Sequence, residues 1–523
     1  MLDTTRTTGP VPGAIAGLVA TAAALAAAEA VSVLLSRPGA SLVLAVGDTV
    51  VDLTPLPLKQ FAVDTFGTAD KFALFVGMGA VLAVMAAVLG AIAGRRRWIG
   101  HTGIAVFATV GLAAALTRPD SGALDVVPTL VGAAVCAAVL LWLMRTAASG
   151  PTEQAGDDSP PQPGFDRRRF ALVAGAVAAA SAGVGTTARS FAGSAAELSR
   201  SDITLPRPAF PAAPLPDGVD LEIDGLAPFL TPNEDFYRID TALSVPRVDA
   251  AAWSLRIHGL GARERVYTFA DLLARSDLTE RDITLACVSN PVGGDYVGNA
   301  RWIGVPLAAL LEEAGVRSPR DGGRADQLVS RSEDGMTIGT PVADVMDGRD
   351  ALLAVGMNGR PLPHEHGFPA RMVVPGLYGY VSACKWIVDI ELTTFDAFDA
   401  YWVPRGWSAH GPVKTQSRID TPRGNSTVGA GRVAVAGVAW AQHTGIDQVE
   451  IRVDGGDWQP VTLAAEDTAD TWRQWVFDWV AEPGDHELTV RATDRRSRTQ
   501  TADPAPPAPD GATGHHTIEV TVV

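Results

Sequence analysis

Asp282-Ile283-Thr284-Leu285-Ala286-Cys287-Val288-Ser289-Asn290-Pro291-Val292-Gly293-Gly294 decides the reading of this chain. An apolar, partly β-branched run ends at a cysteine, and a polar turn rich in Gly and Pro comes next. The pattern predicts a strand whose end presents a thiol to a loop. Such a thiol can ligate a redox-active transition metal, for which soft thiolate donors are suited. Taken alone, a free cysteine is more often a small buried hydrophobe. The residues around this one shift the balance.

On either side of it, short apolar runs recur at Asp220 to Ile223, Ser254 to Ile257, Val266 to Phe269, Leu328 to Ser330, Leu352 to Val355, Arg371 to Val374 and Trp386 to Leu392. Helical stretches at Ala270 to Ala274 and Pro306 to Ala314 interrupt them, which is an α+β pattern. From about Lys414 the pattern changes to short strands spaced by turns: Arg432 to Ala439, Gln448 to Val453, Trp475 to Trp479, His486 to Ala492 and His516 to Val523. Asp454-Gly455-Gly456-Asp457 is a hairpin turn signal, and the regular spacing predicts an immunoglobulin-like β-sandwich. Trp440, Trp458, Trp472, Trp475 and Trp479 read as its core and interface.

The first third is different again. Val11 to Leu35, Phe72 to Gly94, Trp98 to Leu116 and Ala123 to Met144 are apolar runs of spanning length, since about 20 such residues cross a hydrocarbon core. A fifth and less apolar run, Phe170 to about Thr187, comes after Arg167-Arg168-Arg169. The flank Asp166 to Leu172 is similar to a twin-arginine export signal. Leu42 to Gly67 suits an interfacial or re-entrant segment, and Gly150 to Gly164 a polar linker. Arg6, Arg95 to Arg97, Arg145 and the arginine triplet all fall on one side if the chain spans five times. The positive-inside rule then predicts that the chain beyond Thr187 lies outside the cytoplasm. His101 is the one histidine in the spans, so the bundle cannot bind haem between two axial histidines by itself. Glu29 and Asp125, near helix ends, read as solvated, and Cys136 as bundle interior.

The 523 residues carry a net charge of -16 and show no basic, aromatic-interleaved patch, which disfavours nucleic-acid binding. Three cysteines make no disulfide framework; a Cys287–Cys384 bridge is open on number alone.

Ala300-Arg301-Trp302-Ile303-Gly304, Asn358-Gly359-Arg360-Pro361-Leu362-Pro363, His366-Gly367-Phe368-Pro369-Ala370-Arg371 and Lys385-Trp386 come after Cys287-Val288-Ser289-Asn290 in order. The ordered set resembles the sulfite oxidase family of molybdopterin enzymes, over about Leu221 to Val523. The resemblance implies a molybdenum–molybdopterin cofactor, the metal held by the dithiolene of one pterin and by one protein thiolate, which Cys287 matches. Arg371 and Lys385 match the positions that anchor the pterin's phosphate, with His366 and Ser382 beside them. Ser289, Asn290 and Arg301 belong to the matching elements and join the cofactor-binding set. Asn233 to Asp240 resembles the family's entry segment, which adds Asn233, Tyr237 and Arg238; Arg238 is the candidate anion-binding residue. Trp407 falls where the family has a tyrosine over the metal, but it lacks that hydroxyl. The implied catalytic set is Cys287, Arg238 and Trp407. Arg238, Arg301 and Arg405 could make the pocket cationic, as oxidation of a sulfur oxyanion favours; reduction of a sulfoxide needs less positive charge.

The expectation is therefore a multi-domain protein: an N-terminal α-helical transmembrane bundle (1–149), a linker (150–166), a fifth transmembrane or twin-arginine-like segment (167–190), a tether (191–218), an α+β sulfite-oxidase-like molybdopterin domain (219–412) and an immunoglobulin-like β-sandwich of dimerisation type (413–523). The implied function is oxygen-atom transfer on a small, sulfur-containing substrate, outside the cytoplasmic membrane. The expected partners are that substrate, the lipid bilayer, an electron carrier and a second copy through the sandwich. A sulfoxide reductase of the family's periplasmic branch and a non-enzymatic membrane-anchored surface or assembly protein are the alternatives.

Overall fold

The computed structural model describes residues 9–35, 41–55, 70–117, 122–148 and 167–523, with isolated positions between them. Arg6, Pro57, Lys59, Gly67 and Asp166 lie outside the described residues, as does the expected linker apart from Thr152–Glu153 and Gln162–Pro163, which pair antiparallel. Two compact units form, one of residues 1–197 with 242–247, the other of 198–241 with 248–523.

The first unit is helical: α1 (Pro10–Leu34), α2 (Leu42–Leu53), α3 (Asp70–Ala93), α4 (Arg97–Leu116), α5 (Val127–Ala148) and α6 (Arg167–Ser201). α1 and α3 meet through small residues. A Cβ on Gly13 would lie 2.6 Å from the Gly90 carbonyl oxygen, and one on Gly17 only 2.1 Å from that of Ala86. Such close backbone approach is how helices pack where lipid removes the hydrophobic drive between them. Val76, Val81 and Val84 of α3 face outward, as a bilayer-facing surface requires. Among the described residues, five helices are long and apolar enough to cross a membrane, one of them the Arg167–Thr187 part of α6.

Three expectations are corrected by the structure. α5 starts at Val127 rather than Ala123. Asp125, expected to be solvated, is buried ahead of that start, where its carboxylate accepts the Gly122 N–H at 2.6 Å. The tether does not begin at residue 191, because α6 continues to Ser201; its Ala-rich sequence is a good helix former.

Among the described residues, the second unit contains nineteen strands: β1 (Ser254–Gly259), β2 (Arg265–Thr268), β3 (Thr279–Ala286), β4 (Val297–Pro306), β5 (Gln327–Ser332), β6 (Thr337–Pro341), β7 (Leu352–Met357), β8 (Arg360–Pro361), β9 (Arg371–Val373), β10 (Ile387–Thr393), β11 (Gln416–Thr421), β12 (Ser426–Val428), β13 (Gly431–Trp440), β14 (Ile446–Val453), β15 (Gln459–Pro460), β16 (Thr462–Leu463), β17 (Arg473–Ala481), β18 (Gly484–Asp494) and β19 (His516–Val522). One sheet has the order β8-β7-β4-β3, with β9 also on β7; a second has the order β2-β1-β10-β5-β6. Both are covered by one core that includes Trp302, Phe368, Leu353, Ile283 and Ile390. Helices Phe269–Leu273 and Leu307–Glu313 sit in this α+β region, the first with a Thr268–Asp271 capping box.

The remaining strands form two facing sheets, β11-β13-β17-β16 and β12-β19-β18-β14-β15. Trp475 and Trp479 are in the core between them. Trp440 and Trp472 instead pack with Phe229, Ala286, Val288 and Val297, where the sandwich meets the α+β region. Trp458 belongs to neither cluster. It is half-buried under the guanidinium groups of Arg452 and Arg491.

The contact behind β3 is hydrogen-bonded as well as apolar. Thr284 donates its N–H to the Asp470 carbonyl at 3.0 Å, and its hydroxyl accepts the Trp472 N–H at 2.8 Å. Gln442 donates to the Thr284 carbonyl at 3.2 Å, and the Trp472 indole to the Phe229 carbonyl at 2.9 Å. Asp220 to Ile223, expected as a strand, is irregular. Gln474 captures the Leu221 N–H at 2.7 Å, and Glu222 takes a positive φ of 51°, so no sheet ladder can run through it.

Candidate active site

β3 ends where expected, and Cys287 follows it directly. The Cys287 N–H donates to the Tyr296 carbonyl at 2.9 Å, and the Asn290 amide oxygen accepts the Tyr296 N–H at 3.0 Å. The turn is thereby closed on itself and the thiol fixed in direction. Its sulfur lies 2.9 Å from the Ser289 hydroxyl. Burial pushes the thiol pKa up, against the opposing effect of Ser289. All three cysteines are free, so Cys287 and Cys384 form no bridge.

Cys287 lines a cleft with a cavity volume of about 100 Å³. Its other polar walls include Tyr237, Asp240, Asp334, His366, Arg371 and Lys385. Two glycines permit the assembly. A Cβ on Gly298 would meet the Phe236 ring at 2.8 Å, and Gly367, at φ 107°, leaves 3.1 Å for a Cβ against both Arg371 and Lys385.

Arg371 is buried at 5% exposure and makes no carboxylate contact among the described residues. Its guanidinium donates to the His366 carbonyl at 3.2 Å and lies 5.0 Å from the Trp302 ring centre. Burial pulls its pKa down to about 10. A buried cation without a counter-charge is costly, and an anion bound beside it would offset that cost. Lys385 pairs with Asp240 at 2.9 Å and covers the Trp386 ring; burial lowers its pKa to about 8. His366 hydrogen-bonds the Asn233 carbonyl at 2.9 Å. Burial, then Arg371, hold its pKa at about 4, so the imidazole is neutral at pH 7. Burial raises the Tyr237 phenol, which stays protonated.

The structure brings Cys287, Tyr237, His366, Arg371 and Lys385 together, with Ser289 against the sulfur. The other predicted residues stand outside the cleft lining. Arg238 is 39% exposed and pairs with Asp240 at 2.8 Å. Arg301 is forked onto Asp282, at 2.8 and 2.6 Å. Arg405 covers the Tyr401 ring at 3.5 Å. Asn233 accepts from Asn358 at 2.8 Å, Asn290 closes the cysteine turn, and Ser382 donates to the Tyr378 carbonyl at 3.0 Å. Trp407 packs behind Tyr380 and Trp402, and it is those two rings that reach the cleft. Sequence reading missed Asp240, Asp334, Tyr380 and Trp402. Asp240 had one signal, its place in the entry segment; the others depend on tertiary folding.

The donor set fits the group that the resemblance implies. It offers one thiolate candidate at a strand end, a buried cation and an ammonium for a phosphate tail, and a cleft beside all three.

Residues 242–402 match the family model of the oxidoreductase molybdopterin binding domain, and residues 416–490 that of a bacterial Ig domain. Sulfite oxidase of Gallus gallus is 29% identical over 53% of this chain and 69% of its own length. The mitochondrial sulfite oxidase of Homo sapiens is 28% identical, over 50% of this chain and 55% of its own. The chain thus spans little more than half the length of the human relative. The sulfane dehydrogenase SoxCD of Paracoccus pantotrophus superposes with a TM-score of 0.49 at 23% identity, covering 56% of this chain and 81% of that one. Matched domain and assembled site together define an oxidoreductase that uses a molybdenum–molybdopterin cofactor. The chain is similar to the sulfite oxidases among such enzymes, and it carries a C-terminal Ig-like domain.

Proposed function

We propose that this protein is a membrane-anchored member of the family that performs oxygen-atom transfer on a small sulfur-containing substrate, with Cys287 as the protein ligand of molybdenum. Residues 219–412 would form the catalytic domain and 413–523 the sandwich domain, outside the cytoplasmic membrane, with electrons exchanged through a separate carrier. The observation that carries the reading is the Cys287 sulfur on the wall of a cleft that also holds a buried Arg371 with no carboxylate partner among the described residues.

When bound, the cofactor supplies two-electron redox chemistry and an exchangeable oxo group. The chain's residues do the rest. The closed turn after Cys287 fixes the sulfur; Arg371 and Lys385 bind the phosphate tail as charge-assisted donors. Neutral His366 is free to hydrogen-bond the pterin without adding charge. Tyr237 keeps its proton and can orient a substrate oxygen by hydrogen bonding. Tyr380 and Trp402 narrow the opening and limit water.

The test is expression with molybdenum-cofactor synthesis intact, then elemental analysis and X-ray absorption at the molybdenum edge, on wild type and Cys287→Ser. The wild type should carry molybdenum with three sulfur neighbours, two from the dithiolene and one from the thiolate. The variant should lose one of them, and its activity should fall by about 10³-fold or more while it still enters the membrane. Unchanged sulfur coordination in the variant would overturn the ligand assignment. For the anchoring, a reporter fused after Thr187 should report from outside the cytoplasm.

A further inference from the structure

The helical unit includes one short segment from far along the chain, residues 242–247. That segment is continuous with a wall of the cleft, since Phe236, Tyr237, Ile239, Asp240 and Thr241 all line it. Ala242 comes next and is buried at 3% exposure. Its carbonyl accepts a hydrogen bond from the Lys71 ammonium, at the start of α3, at 2.6 Å. Leu243 enters a notch on α2, where a Cβ on Gly47 would lie 2.6 Å from the Leu243 Cδ1. Glycine inside a helix is destabilising relative to alanine; here it makes the room that Leu243 fills. Arg247 lies 3.8 Å from Glu197 on α6, an exposed pair that contributes little. Lys71 opens α3 and the Arg95 to Arg97 cluster comes after its far end. The seat is therefore at the end of α3 that the positive-inside arrangement puts outside.

The stretch has no helix or sheet of its own. Among the described residues, no main-chain N–H from Tyr237 to Ala251 donates to a main-chain carbonyl. Such a segment opens easily unless side chains or neighbours order it. On the cleft side, Asp240 pairs with Lys385 at 2.9 Å and the Thr241 hydroxyl lies 3.5 Å from Asp334. On the return, the Ser199 hydroxyl near the end of α6 donates to Asp249 at 2.9 Å and accepts the Ala250 N–H at 3.1 Å. Between these two fastenings, the chain is seated by Lys71 and by the notch at Gly47. We propose that the helical unit, beyond anchoring the chain, is a clasp on the cleft. By seating residues 242–247 it holds the wall from Phe236 to Thr241 in place and so retains the cofactor, with Gly47 and Lys71 as positioning residues. What the cleft retains rests on the molybdenum reading above; that the seat orders the wall does not. Asp240, two residues before the seat, also holds Lys385, so an emptied seat loosens a phosphate anchor along with the wall.

The experiment uses the detergent-solubilised full chain as wild type, Gly47→Leu and Lys71→Met. Gly47→Leu fills the notch with a better helix former. Lys71→Met keeps the aliphatic stem and removes the donor. Hydrogen–deuterium exchange is followed by mass spectrometry on peptides within residues 237–250 and, as an internal reference, on β3 and β4. Both variants should speed exchange at 237–250 about tenfold and leave the two strands unchanged, because the opening is local. Elemental analysis during prolonged dialysis should show molybdenum lost about tenfold faster from the variants, an effect of the size that supporting residues have on metal sites.

Equal exchange at 237–250 in the wild type and both variants would overturn the clasp. So would wild-type exchange there as fast as in an unfolded peptide. Faster exchange without faster loss of molybdenum would overturn the retention. The exchange measurement needs no cofactor. A chain that takes up no molybdenum therefore sinks the broader reading, while exchange still decides whether the helical unit orders the wall. If Gly47→Leu fails to fold, Leu243→Ala, which empties the notch from the other side, takes its place with the same expected outcome.

Discussion

Arg371 and Arg301 belong to the same sheet, and the structure treats them in opposite ways. Arg301, on β4, faces away from the cleft and is saturated: both carboxylate oxygens of Asp282 lie in its fork. Arg371, at the start of β9, is more deeply buried; among the described residues its guanidinium hydrogen-bonds to carbonyl oxygens and lies beside the Trp302 ring. A saturated arginine is part of the scaffold. An unsaturated one, held in low dielectric, is waiting for charge from outside. Both sit in motifs that the family resemblance marks, so motif membership does not separate anchor from brace; the partner list does.

The contrast is tested most severely by removing each arginine in turn. Arg371→Met should cut molybdenum content at least tenfold and leave the cofactor-free protein no less stable, because an uncompensated charge is replaced by an apolar side chain. Arg301→Ala should do the reverse. It strands Asp282, whose side chain is 2% exposed, and should cost about 3 kcal/mol with molybdenum content retained. Elemental analysis and thermal unfolding read the two effects. If both variants lose metal equally, the distinction fails.

Asp467 probes the Arg301 side further. Burial, then the neighbouring Asp282 carboxylate, push its pKa from 3.8 up to about 6. A raised folded-state pKa means that the protonated form favours the fold, so this stabilisation is complete below about pH 4 and is lost as pH rises through about 6. Asp467→Asn should therefore raise the unfolding midpoint at pH 7.5 and change it little at pH 4, by a shift of a few degrees. An equal shift at both pH values would refute the coupling.

The smallest effects should come from residues that the resemblance marked and the cleft does not contain. Arg238→Gln and Trp407→Phe should each change kcat/KM less than about fivefold, since neither side chain lines the cleft. A drop of 10²-fold for either would put that residue back in the catalytic set.

Much of this fold was legible in the sequence because its strands are buried apolar runs cut by Gly and Pro. β3 and the sandwich strands β13, β14, β17, β18 and β19 fall where the alternation puts them. β4 was hidden because Asn299 and Arg301 interrupt its apolar run. Both are satisfied by partners remote in sequence, Asn299 by Thr284 and the Phe229 carbonyl, Arg301 by Asp282. Residues 220–223 failed in the opposite sense: apolar enough for a strand, they had no neighbouring strand and were captured by Gln474. The site was half readable. Cys287, His366 and Arg371 lie in glycine- and proline-rich motifs that mark close backbone approach. Asp334 and Trp402 carry no such mark, and only the tertiary arrangement brings them to the cleft.

The hydrogen bonds behind β3 bear on how this enzyme can be taken apart. Thr284, three residues before the thiol, is gripped by Asp470, Trp472 and Gln442 from the sandwich side. A protein cut at residue 412 would leave the Thr284 N–H and carbonyl without these partners and bare the apolar patch beneath Trp440 and Trp472. The Ig-like module is a keystone for the cysteine's strand, and shortening the chain to a minimal catalytic core would loosen the very sulfur that such a core was meant to keep.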